Sequence, residues 1–273
     1  MDTESNKSER GFILISVAIA LSIAVIVLTI TLSSHFRGVE TSREYESIQE
    51  MNRLKDAITG TSIENFGFIG DMGRLPNSLS ELNTQGTQTA FHTTDGTTPH
   101  FGSVGMGWRG PYYKYGKTDD DYLKDAWGRQ YVYVITGTVT SGGGITLNQR
   151  TAQIISNGPD GAYPSSDDLY AEPIVEKTNL IIRVVKVMSD QTMTNVTIDV
   201  FSSNNGEQTQ TTAPTITFTG DGGQETSVPI ANLHQGVHAF NINFGVMDET
   251  GYVYIIGGDA NKYKFAVPVG LKK

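Results

Sequence analysis

Apolar residues fill positions 12–32 almost without interruption, and from 12 to 36 no side chain carries a formal charge at neutral pH apart from the option at His35. As a helix, those 21 residues extend ~31 Å at about 1.5 Å per residue, enough to cross the hydrocarbon core of a bilayer. The pattern predicts a membrane-spanning helix over 12–32. A secretory signal peptide fits less well, because its apolar region is usually about 7 to 15 residues and ends in a small-x-small site that Thr31-Leu32-Ser33-Ser34 matches poorly. Beyond the span, Phe36, Val39, Tyr45, Ile48, Met51, Leu54 and Ile58 recur mostly at intervals of three or four, with charged residues between them. That period continues the helix, now amphipathic, to position 59 and to ~70 Å in all. Gly38 is its weak point, costing about 1 kcal/mol against Ala.

After position 60 the pattern breaks into short segments rich in Gly, Pro and aromatic residues, which form a head over 60–172. From 173 to 273 the period becomes two. Residues 180–188 form a β-branched run, and alternation follows at Val196-Ile198-Val200, Ile216-Phe218, Phe240-Ile242-Phe244-Val246, Tyr252-Tyr254 and Phe265-Val267-Val269. Turns are expected at 203–206, 220–223 and 257–259. About seven short strands in a β-sandwich are predicted there.

Composition then removes whole classes of chemistry. Without cysteine there is no disulfide framework, thiolate metal site or cysteine nucleophile. A net charge of −9 has the wrong sign for holding nucleic acid through its phosphates. Gly105-Met106-Gly107-Trp108-Arg109-Gly110 spells G-x-G-x-x-G, but Pro111-Tyr112-Tyr113 follows it where a dinucleotide site needs a helix. His234 and His238 flank Gln235-Gly236-Val237 and read as exposed loop histidines, and Asp119-Asp120-Asp121 as a solvated acidic turn. No catalytic constellation is present in the pattern, and no enzyme activity is expected.

Four motifs stand in a fixed order in the head. Asp71-Met72-Gly73-Arg74-Leu75-Pro76 leads into a helix expected after Pro76, with Asn77 or Ser78 as N-cap. Next come Trp108-Arg109-Gly110-Pro111-Tyr112, then Asp125-Ala126-Trp127-Gly128-Arg129-Gln130-Tyr131, and then Ser156-Asn157-Gly158-Pro159-Asp160-Gly161. Both Trp are read as core residues. Ahead of the span, the hydrophilic residues 1–11 end in Lys7-Ser8-Glu9-Arg10-Gly11, directly against Phe12.

Together, the junction and the four motifs resemble the type IV pilin family, in particular the major pseudopilin of type II secretion. The resemblance implies an α+β, pilin-like fold, with a long N-terminal helix on a small antiparallel head and the β-sandwich as an addition. It also implies a prepilin leader over 1–11, peptidase cleavage between Gly11 and Phe12, and N-methylation of Phe12. The implied location is the bacterial inner membrane, single-pass, with the bulk in the periplasm, and assembly into a pseudopilus. The implied partners are other pseudopilins, the prepilin peptidase, the assembly ATPase with its platform protein, and the secretin. Ser16 stands where most members have Glu, which leaves major and tip subunit open. In the resembled protein two loop aspartates and main-chain carbonyls bind structural calcium; Asp160 with Asp167 or Asp168 fall at matching places, where the residues alone read equally as an Asp/Gly turn. Two further readings stay open: a minor type IV pilus subunit with an adhesive β-domain, and a membrane-anchored binding protein that does not polymerise.

Overall fold

The computed structural model describes the backbone of residues 5–61, 65–93, 105–114, 121–139, 149–186, 195–218, 225–243, 248–255 and 261–267. Asp119, Asp120 and the turns expected at 220–223 and 257–259 lie outside them, as do the first four residues of the expected leader.

α1 (Ser5–Thr59) is one unbroken helix of 55 residues, so it begins within the hydrophilic segment rather than at Phe12. It is long and apolar enough to span a membrane, with mean hydropathy 2.4 in its apolar window and none of that window buried against the protein. Hydroxyls in the apolar stretch bond back one turn: Ser22 to the Ala18 carbonyl at 2.8 Å, Thr29 to Val25 at 2.8 Å and Thr31 to Val27 at 2.8 Å. Their polarity is thus absorbed within the helix itself, as a lipid or protein surround requires. Gly38 has nothing within 4 Å of the place a Cβ would take, and the helix runs through it.

The second half of α1 buries Ser47, Glu50, Met51, Leu54, Ala57 and Ile58. Gly60 and Gly67, both left-handed, then approach so closely that a Cβ on Gly67 would stand 2.2 Å from the Gly60 nitrogen. This contact folds the buried α2 (Gly67–Met72) back onto α1, and Gly73 ends it by donating to the Ile69 carbonyl at 2.7 Å. The helix expected after Pro76 is a single 3-10 turn, Leu79–Leu82. Ser78 makes no side-chain cap; instead Glu81 accepts from Asn77 N at 3.1 Å and Asn77 Nδ2 at 2.9 Å, so the carboxylate reaches back and closes the turn.

β1 (His92–Thr93) and β2 (Gly105–Met106) pair antiparallel. A second 3-10 turn, Asp121–Leu123, leads to β3 (Val132–Val139), β4 (Gln149–Ser156), β5 (Leu169–Tyr170) and β6 (Ile174–Val175). β4 is the centre of this antiparallel sheet, with β3 on one side and β5 and β6 on the other. One cluster joins the sheet to the helices through Met51, Leu54, Ile58, Phe68, Leu75, Ile154 and Ile174.

The remaining strands form two sheets. β7 (Lys177–Lys186) lies between β10 (Glu225–His234) and β13 (Asn261–Val267), antiparallel to the first and parallel to the second. β8 (Thr197–Asn204), β9 (Glu207–Thr212), β11 (Gly236–Asn243) and β12 (Asp248–Ile255) form an antiparallel sheet in the order β12-β11-β8-β9. Residues of both sheets, including Leu180, Ile182, Ile198, Val200, Ile230, Phe240 and Ile242, share one buried cluster. The layout is therefore one long apolar helix followed by largely antiparallel sheets.

Three strand expectations change. Ile216 makes one bridge to Val196 and no named strand runs through 216–218. β9 was not expected because Glu-Gln-Thr-Gln-Thr-Thr has no apolar alternation; it is an edge strand with little to bury. β10 was not expected either, because Pro229 lies inside it; an edge strand is where a proline is tolerated.

α2 also carries the C-terminal sheets. A Cβ on Gly73 would stand 2.0 Å from the Ser203 carbonyl oxygen, and one on Gly236 2.7 Å from Gly70 Cα. Gly206 packs on Gly107, 3.0 Å from its own would-be Cβ to Gly107 Cα. Across this glycine seam Ser203 Oγ donates to the Asp71 carbonyl at 2.8 Å, Gly206 N to Met72 O at 3.1 Å and Gln235 Nε2 to Val175 O at 2.8 Å.

Candidate functional site

Positions 17–32 form an uncovered apolar surface on α1: Val17, Ile19, Leu21, Ile23, Val25, Ile26, Val27, Leu28, Ile30 and Leu32 are each between 47% and 65% exposed. Ser16 is exposed at its start. Gly11 and Phe12 fall on the helical backbone, with their side chains outside the described residues. Such a stripe in water costs about 25 cal/mol for each Å² left wet, so it needs lipid or other apolar helices around it.

Where the bare stretch ends, polar groups fasten the helix to the head. The buried carboxylate of Glu50 accepts from the Tyr113 hydroxyl and lies 3.7 Å from Arg53. Ala126 N donates to Ser47 Oγ at 3.1 Å, Tyr131 OH reaches the Ser47 carbonyl at 3.4 Å, and Lys55 pairs with Glu172. Tyr113 stacks on Tyr122 with centroids 5.1 Å apart. Two of the sequence motifs, around Pro111 and Trp127, thus hold α1.

The motifs have structural explanations of their own. Asp125 Oδ1 accepts from Trp127 N at 3.0 Å and Arg129 N at 2.9 Å, while Oδ2 accepts from Ser156 Oγ at 2.7 Å. One carboxylate thus both turns the chain and ties the turn to β4. Trp108 Nε1 donates to the Glu81 carbonyl at 2.8 Å. Trp108 and Trp127 are half-buried rather than enclosed, and of the two Trp108 packs against the head cluster, so the expectation that both are core residues is met only in part. Asp71, fully buried, takes Arg109 Nε at 3.2 Å and Tyr112 OH at 3.1 Å on Oδ2. Its Oδ1 is 3.1 Å from Arg109 Nη2 but off hydrogen-bond alignment. Burial raises the Asp71 pKa to about 6, against the pull of Arg109 and the Tyr112 hydroxyl. The Arg109 guanidinium lies between the rings of Phe66 at 5.2 Å and Phe91 at 5.1 Å.

Asp160, Asp167 and Asp168 are brought together around Ser165. Its hydroxyl lies 3.4 Å from Asp160 Oδ1, 2.5 Å from Asp167 Oδ1 and 3.3 Å from Asp168 Oδ1. Each carboxylate also caps a backbone N–H: Asp160 that of Ala162 at 2.7 Å, Asp167 that of Asp160 at 3.1 Å and Asp168 that of Ser165 at 2.8 Å. The Ser165 hydroxyl and the Asp160 amide hold Asp167 below the usual carboxylate range. On the other side of the loop, Arg129 donates to the carbonyls of Gly158 and of Pro159, the latter at 2.9 Å, and left-handed Gly161 leaves room for its guanidinium. Asn157 Oδ1 is buried there without a hydrogen-bond partner. Among the described residues no three His, Asp or Glu side chains already converge as a metal-holding group. The donors are nevertheless all hard oxygens on one loop, of the kind calcium takes.

The histidines are a correction. His234 and His238 are 2% and 0% exposed, not loop residues in solvent. The Gln-Gly between them does mark a turn, but that turn faces inward, onto α2 at Gly70. Asp121 opens its 3-10 turn exposed and lies 3.3 Å from Lys124. Sequence reasoning also missed Glu50 and Asp71 as buried anchors, because both lie among charged or turn-forming residues that read as solvated.

The chain matches no protein-family model and no curated protein.

Proposed function

We propose that this protein is a pilin-like structural subunit of the pseudopilin kind, carried first in the bacterial inner membrane by α1 and then packed helix to helix into a short periplasmic filament. The observation that carries this reading is the uncovered apolar stretch of α1 continuing directly into a half that the head clasps through Glu50, Ser47 and Lys55. A helix anchored at one end and bare at the other suits a chain that exchanges lipid for like helices. The hydroxyls that bond within the helix leave an exterior compatible with either surround. In this reading the head with β3–β6 is the pilin-like unit and the two C-terminal sheets form a β-sandwich set on it. The activity is mechanical, with no reaction chemistry.

The Gly11–Phe12 junction is then the processing site, and Ser16 lacks the carboxylate that most members place at that position. Partners follow from the same reading: prepilin peptidase, assembly ATPase and platform, other pseudopilins and the secretin. Mass spectrometry of the chain purified from a host with the peptidase tests it. A chain beginning at N-methylated Phe12 is expected; one that keeps Met1 while the machinery runs sinks the reading.

Asp160, Asp167 and Asp168 are the residues that hold a structural calcium in this account, the ion drawing together carboxylates that Arg129 only partly offsets. Chelator added to the calcium-loaded chain should lower the melting midpoint by several degrees, the scale that follows from about 1–2 kcal/mol of ligand stabilisation. An unchanged midpoint excludes calcium and leaves the loop as an Asp/Gly turn.

A further inference from the structure

β10 ends at His234, and His238 lies three positions into β11, beyond the Gln235-Gly236 turn. Both rings are buried, their centroids are 4.5 Å apart and their planes are tilted by 43°. His234 Nδ1 lies 2.6 Å from the Gln235 carbonyl and His238 Nε2 lies 2.8 Å from the His234 carbonyl. A carbonyl only accepts, so these two nitrogens carry the hydrogens and the tautomer of each neutral ring is fixed. The opposite nitrogens, His234 Nε2 and His238 Nδ1, are buried without a hydrogen-bond partner. A second proton on either ring would therefore be a buried charge beside an identical ring, met only by the backbone of Ser203 at His234 and of Phe201 at His238.

The pair sits on the seam. Gly236, between the two histidines, abuts Gly70 of α2, and Ser203 of β8 binds the Asp71 carbonyl beside them. We propose that the two histidines are an acid-sensitive catch: neutral, they let the C-terminal sheets close on α2, and protonated, they release those sheets from the head while the head core persists.

The charges around the pair favour the neutral state. Lys177 of β7 stands opposite His234 in the ladder and opposes its protonation. The neighbouring Glu176 is committed to Leu75 N at 3.1 Å and to Arg150 at 3.5 Å. On α2 the carboxylate is Asp71, turned to Arg109 and Tyr112. The backbone of β8 favours protonation, through Ser203 at His234 and Phe201 at His238, and is outweighed by burial, while β12 places Val253 opposite His238. At the rim, His92 lies 3.9 Å from Glu207, both side chains exposed. Burial is the first cause of lowering for both rings, His234 to about 4 and His238 well below its ordinary value.

The chain has no cysteine, so spin labels can be attached at Lys114→Cys on the head and Thr209→Cys on β9, both exposed positions. The full chain in detergent micelles is measured near neutrality and at about pH 4.5. One narrow distance is expected at neutral pH and a broad, longer distribution in acid, reversibly, with the tryptophan emission of the head unchanged. The His234→Gln/His238→Gln double variant should keep the narrow distance at both pH values. An unchanged distribution in the unsubstituted chain overturns the proposal, as does opening of the double variant over the same range. If the double variant does not fold, NMR of ring-labelled histidine in the unsubstituted chain decides: two rings should take up protons only as the distance broadens, and titration of every ring near the ordinary value with the distance intact overturns it.

Discussion

The head and the half of α1 packed on it keep buried carboxylates, among them Glu50, Asp71 and Asp125, whereas the cluster between the two C-terminal sheets is built from Leu, Ile, Val, Phe and Ala side chains. In the head, a carboxylate bonded to two or three named groups fixes where a loop lies, so a residue type is tied to a position. Between the sheets, burial depends on apolar area, and many β-branched or aliphatic residues supply it. The two regions meet where neither device operates. At the seam, backbones touch through Gly70, Gly73, Gly206 and Gly236, and contact is gained by removing side chains.

That contrast is broken most severely at the seam. Gly73 has φ +72°, and a Cβ there would stand 2.0 Å from the Ser203 carbonyl oxygen. Gly73→Ala must part α2 from β8 and lose the Ser203–Asp71 bond, at a cost of about 3 kcal/mol. Gly86 is left-handed too, at φ +57°, with nothing within 4 Å, so Gly86→Ala should cost only about 1 kcal/mol for the backbone. Urea midpoints of the two variants measure the difference. Equal losses would mean that the seam carries no contact energy.

The second test separates the buried acid of the head from the buried bases of the C-terminal region by the sign of their pH dependence. Asp71 has a folded pKa of about 6 against 3.8 unfolded, so the fold binds that proton more tightly. The cost of its charge is complete above pH 6 and relieved as pH falls toward 4, a swing of about 3 kcal/mol at 1.36 kcal/mol per unit. His234, lowered to about 4 from 6.5, acts oppositely: its stabilisation is full above 6.5 and is lost as pH falls toward 4. The unsubstituted chain should therefore weaken in acid, and Asp71→Asn, which removes the opposing group, should weaken more steeply. Chemical denaturation across that window reads the two slopes; parallel slopes would show that Asp71 does not titrate there.

How far these features were legible follows from the same contrast. The long helix was readable because a charge-free run and a 3.6 period cannot be confused with much else, although hydrophilic Ser5–Arg10 gave no sign of joining it. The β-branched run located β7, and alternation located β8, β11, β12 and β13. β9 buries almost nothing and β10 contains a proline, so these two edge strands escaped the pattern. The head motifs were visible as spellings, but their reason, Asp125 bridging its own turn to Ser156, needs a partner 31 residues away. The loop aspartates were expected together and are together, through Ser165. The seam was illegible because a glycine that admits a neighbouring backbone reads like any turn glycine, and the buried histidines were misread with it.

The smallest effect concerns the helix itself, at the boundary between its bare and clasped halves. Gly38 is exposed, lies in regular α1 and has open space where a Cβ would be, so packing gives no reason for glycine. Helix propensity alone then predicts that Gly38→Ala stabilises α1 by about 0.5–1 kcal/mol. Amide exchange should slow in the turns around position 38 and remain unchanged in the head, because Glu50 and Ser47 already hold the helix eight or more residues further on. Under the proposed assembly into a filament, a lower filament yield in the same variant while exchange slows as expected would make the glycine a hinge between the two halves; an unchanged yield would make the helix a single rod.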